Sequence, residues 1–347
     1  MNALGARIAG LIAAQGPLSV AQFMTMALHD PQYGYYVTRD PFGKAGDFIT
    51  APEISQMFGE LLGLWTAQTW HNEGKPAPVR LVELGPGRGT LMRDVLNVTR
   101  LMPEFRKAAQ VELVESNPLL QEMQQDALDD CGVAVRWCGR LEDSDTPLLL
   151  LANEFFDALP IRQFVMTERG WCERMVTLDE TGALAFALSP DATPLSLPER
   201  GPAELGAVYE TCPAATALAG QIAHAIAAHG GAALIVDYGY GSEAGFGETL
   251  QALKAQAYAG LLDAPGEADI SAHVDFAALA QAAREAGAAT YGPIGQGDLL
   301  LKLGIAQRAK KLGAPEDLDR LTSAAQMGTL YKVLAILPAG AAKPEGF

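Results

Sequence analysis

The chain has 347 residues, 49% hydrophobic and 19% charged, the balance of a globular protein with ample material for a core. Against 25 Lys and Arg stand 41 Asp and Glu, a formal net charge of −16. That surplus argues against a nucleic-acid binder, whose polyanionic ligand recruits a basic face, and reads first as a solubility device that also permits a basic partner.

Met1 to Leu28 reads as two short amphipathic helices broken at Gly16-Pro17, the second starting after Ser19. The aromatic cluster Tyr33-Gly34-Tyr35-Tyr36 follows and reads as loop packing. Thr50-Ala51-Pro52-Glu53 has the form of a capping box, in which the Thr50 hydroxyl accepts from the Glu53 N–H. Ile54, Met57, Phe58, Leu61, Leu62 and Trp65 then repeat at helical spacing.

From Val79 the pattern changes to short apolar strands alternating with helices. Val79–Leu84, Val111–Glu115, Val133–Cys138, Leu148–Asn153 and Ala233–Asp237 are the first five, and Ala288–Gly292 and Thr329–Leu337 complete seven. Continuous apolar strands separated by helices predict an α/β fold with a mostly parallel sheet covered on both faces. Gln163–Thr167, Cys172–Leu178 and Leu184–Leu188 read as an antiparallel meander inserted between the fourth and fifth strands. Helices are expected at Pro213–His229, from Asp275 to Ala286, and near 296–312 and 315–326, while 239–272 reads as a long loop. The expected division is a helical cap over 1–75, a core over 76–160 and 230–347, and an inserted substrate region over 161–229.

Cys131, Cys138, Cys172 and Cys212 form no C-x-x-C pair, so no metal site or disulfide framework is expected. No apolar run is long enough to cross a bilayer, and Ile8–Ala14 makes a poor signal peptide. The expected location is therefore the cytoplasm.

One segment carries chemistry. In Glu83-Leu84-Gly85-Pro86-Gly87-Arg88-Gly89-Thr90 a buried strand ends in glycines and a helix opens at once. Glycines there let the backbone turn sharply and approach a ligand closely. The second strand ends in Glu115-Ser116, where an acid can accept both hydroxyls of a ribose. A dinucleotide fingerprint would be G-x-G-x-x-G, but Gly85, Gly87 and Gly89 are spaced G-x-G-x-G, which disfavours a nucleotide-dependent dehydrogenase. No P-loop lysine follows.

The Glu83 to Gly89 pattern resembles motif I of class I, Rossmann-like S-adenosylmethionine-dependent methyltransferases. Gly46-Asp47-Phe48-Ile49-Thr50-Ala51-Pro52-Glu53, Asn153-Glu154-Phe155-Phe156-Asp157-Ala158-Leu159-Pro160 and Asp269-Ile270-Ser271-Ala272-His273-Val274-Asp275-Phe276 resemble the MidA-like family more closely. So do His29-Asp30-Pro31 with Tyr33 to Tyr36, and Gly292-Pro293-Ile294 with Gln296, over most of the chain. Ala51 stands where Ser is common in the family. The resemblance implies a protein arginine N-methyltransferase whose substrate is the 49-kDa-type subunit of respiratory complex I, symmetrically dimethylated. The mitochondrial presequence of that family is not seen, which gives the expectation of a bacterial protein.

Strand four delivers Asn153, Glu154 and Asp157 beside the methyl donor. A guanidinium is planar, always protonated and a poor nucleophile, so carboxylates that grip it can orient one nitrogen and offset the repulsion between two cations. Glu154 and Asp157 are assigned that role, with Asn153 hydrogen-bonding the acceptor or a carboxylate; Asp157 as a turn cap is the competing reading. Glu83, Gly85, Pro86, Gly87, Gly89, Glu115 and Ser116 are expected at the cofactor, with Leu141 at the adenine. Asp47 and Thr50 belong either to a cofactor lid or to a plain helix cap. Phe155, Tyr238 and His273 are expected to face the acceptor, although Tyr238 reads equally as a buried aromatic and His273 as structural. Small-molecule methylation on the same fold and a non-catalytic assembly chaperone stand as alternatives.

Overall fold

The computed structural model describes residues 1–38, 49–195, 202–241 and 246–347. Its centre is a sheet of seven strands: β1 (Val79–Leu84), β2 (Ala109–Val114), β3 (Val135–Cys138), β4 (Leu148–Asn153), β5 (Gly231–Tyr240), β6 (Ala288–Gly295) and β7 (Tyr331–Pro338). Their order is β3-β2-β1-β4-β5-β7-β6. Strands β3 through β5 are parallel, and β7 runs antiparallel between β5 and β6. A two-residue bridge, Val274–Asp275, extends the sheet beyond Gly239–Tyr240 of β5.

Every residue of β1 and β4 is buried, Arg80 and Glu83 of β1 included, as expected when helices cover both faces. Alternate side chains of β1 serve two cores. Val79 and Leu81 pack with the helices Gln56–Asn72 and Thr90–Val98, whereas Val82 and Leu84 pack with Pro213–His229 and Phe276–Glu285. The helical cap expected over 1–75 therefore divides: Gln56–Asn72 covers one face of the sheet, and the first two helices belong elsewhere.

Those helices, Ala3–Gln15 and Val20–His29, share a third core with Ile161 and Val176 of the inserted region and with Leu250 and Ile270 of the segment after β5. Leu18–Ser19 joins the insertion directly by pairing with Val176 and Met175. The expected meander is present as Arg162–Thr167, Gly170–Leu178 and Leu184–Ala192, with a fourth strand, Val208–Thr211, beside the first.

The segment expected as a long loop is instead a small antiparallel sheet of Gln251–Lys254, Ala257–Ala259 and Asp269–Ser271. Its hairpin turns at Ala255 and Gln256, both with positive φ (51° and 62°), a geometry normally advertised by Asn-Gly or Gly-Gly. The helix expected over 296–312 is broken by Gly304, at φ 94°, into Gln296–Lys302 and Ile305–Leu312.

Registers fix the site. Leu84 pairs with Val114 on one side and Ala152 on the other, and Asn153 pairs with Val236. Gly85, Glu115, Glu154 and Asp237 consequently emerge together at the carboxyl edge, where the winding reverses between β1 and β4.

Candidate active site

The glycine loop turns as its composition demands: Gly85, Gly87 and Gly89 have φ of 59°, 53° and 80°. At Gly85 a Cβ would stand 2.7 Å from Cδ2 of Phe155, so the glycine also admits the neighbouring ring. Gly85 and Gly87 line a cleft of about 910 Å³ together with Glu115, Ser116, Leu141 and Glu154. Gly89 differs from expectation. It caps the helix Thr90–Val98 and faces Gln124 rather than lining the cleft.

Glu115 is buried just past β2, where desolvation raises its carboxyl above the usual range. Its Oε1 accepts the Asn117 N–H at 2.7 Å, and Oε2 accepts from the Gln124 amide at 3.3 Å. Gln124 ties the cofactor elements together. Its Nε2 donates to the Gly87 carbonyl at 2.7 Å, and its Oε1 accepts the Trp137 indole N–H at 2.8 Å. An indole can only donate, so Trp137 fixes which end of the amide faces the loop. At the other end of the cleft, Leu141 lies beside Arg140 and Glu142, and Gln221 donates to Asp143 at 3.1 Å.

Glu83 is 3% exposed, and burial pushes its carboxyl up to about 8. Its Oε2 has no partner among the described residues. It borders a smaller pocket with Thr50, Pro86 and Asn153, which meets the main cleft at Gly85, Gly87 and Glu154. A buried carboxylate with an open oxygen beside a glycine cradle and a ribose-type acid fits S-adenosylmethionine, whose amino and sulfonium groups are both cationic.

The turn after β4 is built around two acids. Glu154 takes the left-handed conformation at φ 50°, unusual for a side chain with a Cβ. Its N–H reaches Val236 of β5, its Oε1 accepts from the Ala51 N–H (3.0 Å) and the Asn153 amide (3.1 Å), and its Oε2 accepts from the Tyr331 hydroxyl (3.2 Å). Burial pushes the Glu154 carboxyl up to about 7. Asp237, fully buried at the end of β5, accepts from the N–H groups of Phe155, Phe156 and Asp157 on Oδ2 and of Tyr238 on Oδ1. Desolvation and then the charges of Asp157 and Glu154 push Asp237 up; the N–H groups oppose that rise.

Asp157, with Phe155, Tyr238, His273 and Tyr331, lines the acceptor side of the cleft. The Tyr238 ring meets His273 and Tyr331 edge-on at 5.5 and 5.6 Å. Burial lowers the His273 imidazole, keeping it neutral. Asp47 lies outside the described residues. Thr50 starts the helix Ala51–Ile54 without a side-chain cap bond; Glu154 caps Ala51 instead, and Glu53 accepts from the Thr90 hydroxyl. Tyr36 is more than loop packing: its ring lines the cleft, its carbonyl holds Asn117 and its hydroxyl donates to Asp269. Gln124, Asp237, Asp269 and Tyr331 are the site residues that sequence reasoning missed. Asp237, beside Tyr238 at a strand end, and Asp269, which opens the motif Asp269–Phe276, carried a usable signal.

Residues 61–294 match the model of a family described as "Putative S-adenosyl-L-methionine-dependent methyltransferase". The chain is 36% identical to Drosophila melanogaster "Protein arginine methyltransferase NDUFAF7 homolog, mitochondrial", over 97% of this chain and 85% of that protein. It is 38% identical to the Mus musculus "Protein arginine methyltransferase NDUFAF7, mitochondrial", over 94% and 82%. Among solved structures, a Burkholderia thailandensis protein bound to S-adenosyl-homocysteine superposes with a TM-score of 0.86 at 30% identity, covering 99% of this chain and 94% of that one. With its glycine loop, ribose-type acid and sheet order, the chain belongs to the MidA-like family of class I S-adenosylmethionine-dependent methyltransferases.

Proposed function

We propose that this methyltransferase is a protein arginine N-methyltransferase, acting in the cytoplasm on a 49-kDa-type subunit of respiratory complex I during assembly. The observation that carries the reading is the set of carboxylates gathered at the ends of β4 and β5 beside the cofactor loop, Asp157 and Asp237 buried and Glu154 half-buried. The names of the relatives support it. Such a cluster favours cations, and an arginine acceptor brings one that never deprotonates in solution.

S-adenosylmethionine supplies an electrophilic methyl on a sulfonium. The chain's contribution is placement, since an in-line displacement gains most from holding acceptor and donor in contact. Gly85 and Gly87 would admit its amino-acid end, Glu83 would offset its ammonium, Glu115 would take the ribose hydroxyls, and Leu141 would pack on the adenine. On the acceptor side the carboxylates localise positive charge away from the attacking nitrogen, and neutral His273 is available to receive its proton. Glu154 fixes the end of β4 by accepting from the Ala51 N–H and the Tyr331 hydroxyl.

Incubating the protein with labelled donor and a bacterial lysate, then analysing the labelled band, should yield methylarginine in one subunit. Glu154→Gln should keep S-adenosyl-homocysteine binding and slow transfer at least tenfold. Transfer by that variant at the wild-type rate, or label only in small molecules, refutes the reading.

A further inference from the structure

Two of the three acids in the β4–β5 cluster are occupied within the protein. Asp237 spends both oxygens on backbone N–H groups, and Glu154 accepts three bonds. Asp157 is different. It is 7% exposed, lines the cleft, accepts from the Tyr238 hydroxyl, and has an oxygen, Oδ1, without a partner among the described residues.

A second carboxylate reaches the same place from another element. The strand Asp269–Ser271 is held to the β4 turn by the Ala272 N–H, which donates to the Asp157 carbonyl at 3.0 Å. Asp269 lines the cleft, and its Oδ1 accepts from the Tyr36 hydroxyl at 2.8 Å. Both Asp269 and Asp157 act on Tyr36, whose hydroxyl is held protonated first by burial and then by those two charges. Among the described lining residues, the one Lys or Arg is Arg140, beside Leu141.

We infer that Asp157 and Asp269, with Tyr36 aiming the latter, form a two-sided clamp for the acceptor's guanidinium, and that Glu154 is a positioning residue that holds the β4 turn. Donors pointing along several directions of one plane suit a guanidinium fork approached by carboxylates from two elements, whereas an ammonium is a compact point charge that gains less from the second acid. The clamp deepens the arginine reading and rests on it, but the two can fail separately.

The test uses the full chain saturated with S-adenosyl-homocysteine and titrated by calorimetry with N-acetyl-arginine methylamide and its lysine counterpart. The arginine probe should bind at least tenfold more tightly. Asp157→Asn and Asp269→Asn should each weaken it about 10- to 100-fold, as expected for a charged hydrogen bond, while S-adenosyl-homocysteine affinity stays within about twofold. Tyr36→Phe leaves both carboxylates in place and should fall between. Cofactor affinity also reports folding of each variant. Equal binding of the two probes, or undiminished arginine binding in Asp269→Asn, overturns the clamp. Discriminating binding without methylarginine on any protein would uphold the clamp and refute the activity; methylarginine formation with an unimpaired Asp269→Asn would do the reverse.

Discussion

Asp237→Asn tests whether the β4 turn is held by charge or only by shape. The wild-type carboxylate accepts N–H groups at 3.1, 2.9 and 3.2 Å on one oxygen and at 2.9 Å on the other. An asparagine of the same outline has one acceptor. If its oxygen faces the turn, the Tyr238 N–H meets an amide N–H₂ instead; if it flips, three N–H groups do. The less damaging orientation leaves one buried donor unsatisfied, about 1–3 kcal/mol, and turns three charge-assisted bonds into neutral ones, roughly 1 kcal/mol each. Against this, removing the charge relieves its repulsion with Asp157 and Glu154. A net loss of about 3 kcal/mol is expected, read as a lower urea midpoint with an unchanged slope. Because Phe155 and Asp157 ride on the turn, the transfer rate should fall more than tenfold while S-adenosyl-homocysteine still binds. A variant as stable and as active as wild type would mean that Asp237 is held as a neutral acid and that the cradle does not depend on its charge.

Three other outcomes follow from the site. Gln124→Leu removes the amide that joins the Gly87 carbonyl to Glu115 and should weaken S-adenosyl-homocysteine about tenfold by calorimetry, with Trp137→Phe, which only frees the amide to turn, costing less. Gly85→Val places a branched side chain at φ 59° and drives its Cβ into Phe155, so it should lower the thermal midpoint as well as abolish cofactor binding; normal values for both would mean the loop is not where the cofactor sits. Glu83 and Glu154 have folded-state carboxyls raised by burial to about 8 and about 7 from an ordinary 4.5, so the folded chain holds protons that the unfolded chain has released. Cofactor-free stability should therefore fall as pH rises from about 4.5 to about 8, and the preference for cationic S-adenosylmethionine over S-adenosyl-homocysteine should grow over the same range. A preference independent of pH would show that these carboxylates do not face the donor.

The central sheet was legible because its inner strands are short, largely apolar runs, a signal that survives without knowledge of partners. The glycine loop and Glu115 were legible because strand ends in a parallel sheet share one edge. What stayed hidden was non-local or conformational. Leu18–Ser19 is two residues long and is a strand only through its pairing with Gly170–Leu178. The Ala255-Gln256 turn has no glycine to mark it. In the helix Pro118–Leu128, Gln124 is one of several glutamines, and only the approach of Gly87, Glu115 and Trp137 distinguishes it. Thr50 and Glu53 satisfied a local capping pattern, yet the Glu53 N–H bonds the Thr50 carbonyl rather than its hydroxyl, and a carboxylate distant in sequence takes the Ala51 N–H at the helix start.

That substitution explains why Glu154 tolerates a left-handed backbone. The conformation costs about 1–3 kcal/mol and persists only where the surroundings over-determine it. Here the N–H is held by Val236 of β5, the next three N–H groups by Asp237, and the side chain by Ala51, Asn153 and Tyr331. With the turn locked from β5, β7 and the helix Ala51–Ile54 at once, Asp157 is fixed before any acceptor arrives, and its carboxylate need not reorganise when one binds. The same rigidity keeps Glu154, Asp157 and Asp237 crowded in the empty protein, where burial and mutual repulsion disfavour their charges. A cationic donor that drives these carboxyls to ionise leaves them charged for a cationic acceptor, so each should bind more tightly in the presence of the other than alone. Replacing the sulfonium by the neutral thioether of S-adenosyl-homocysteine should weaken this coupling, because the donor's sulfur-centred positive charge is then missing.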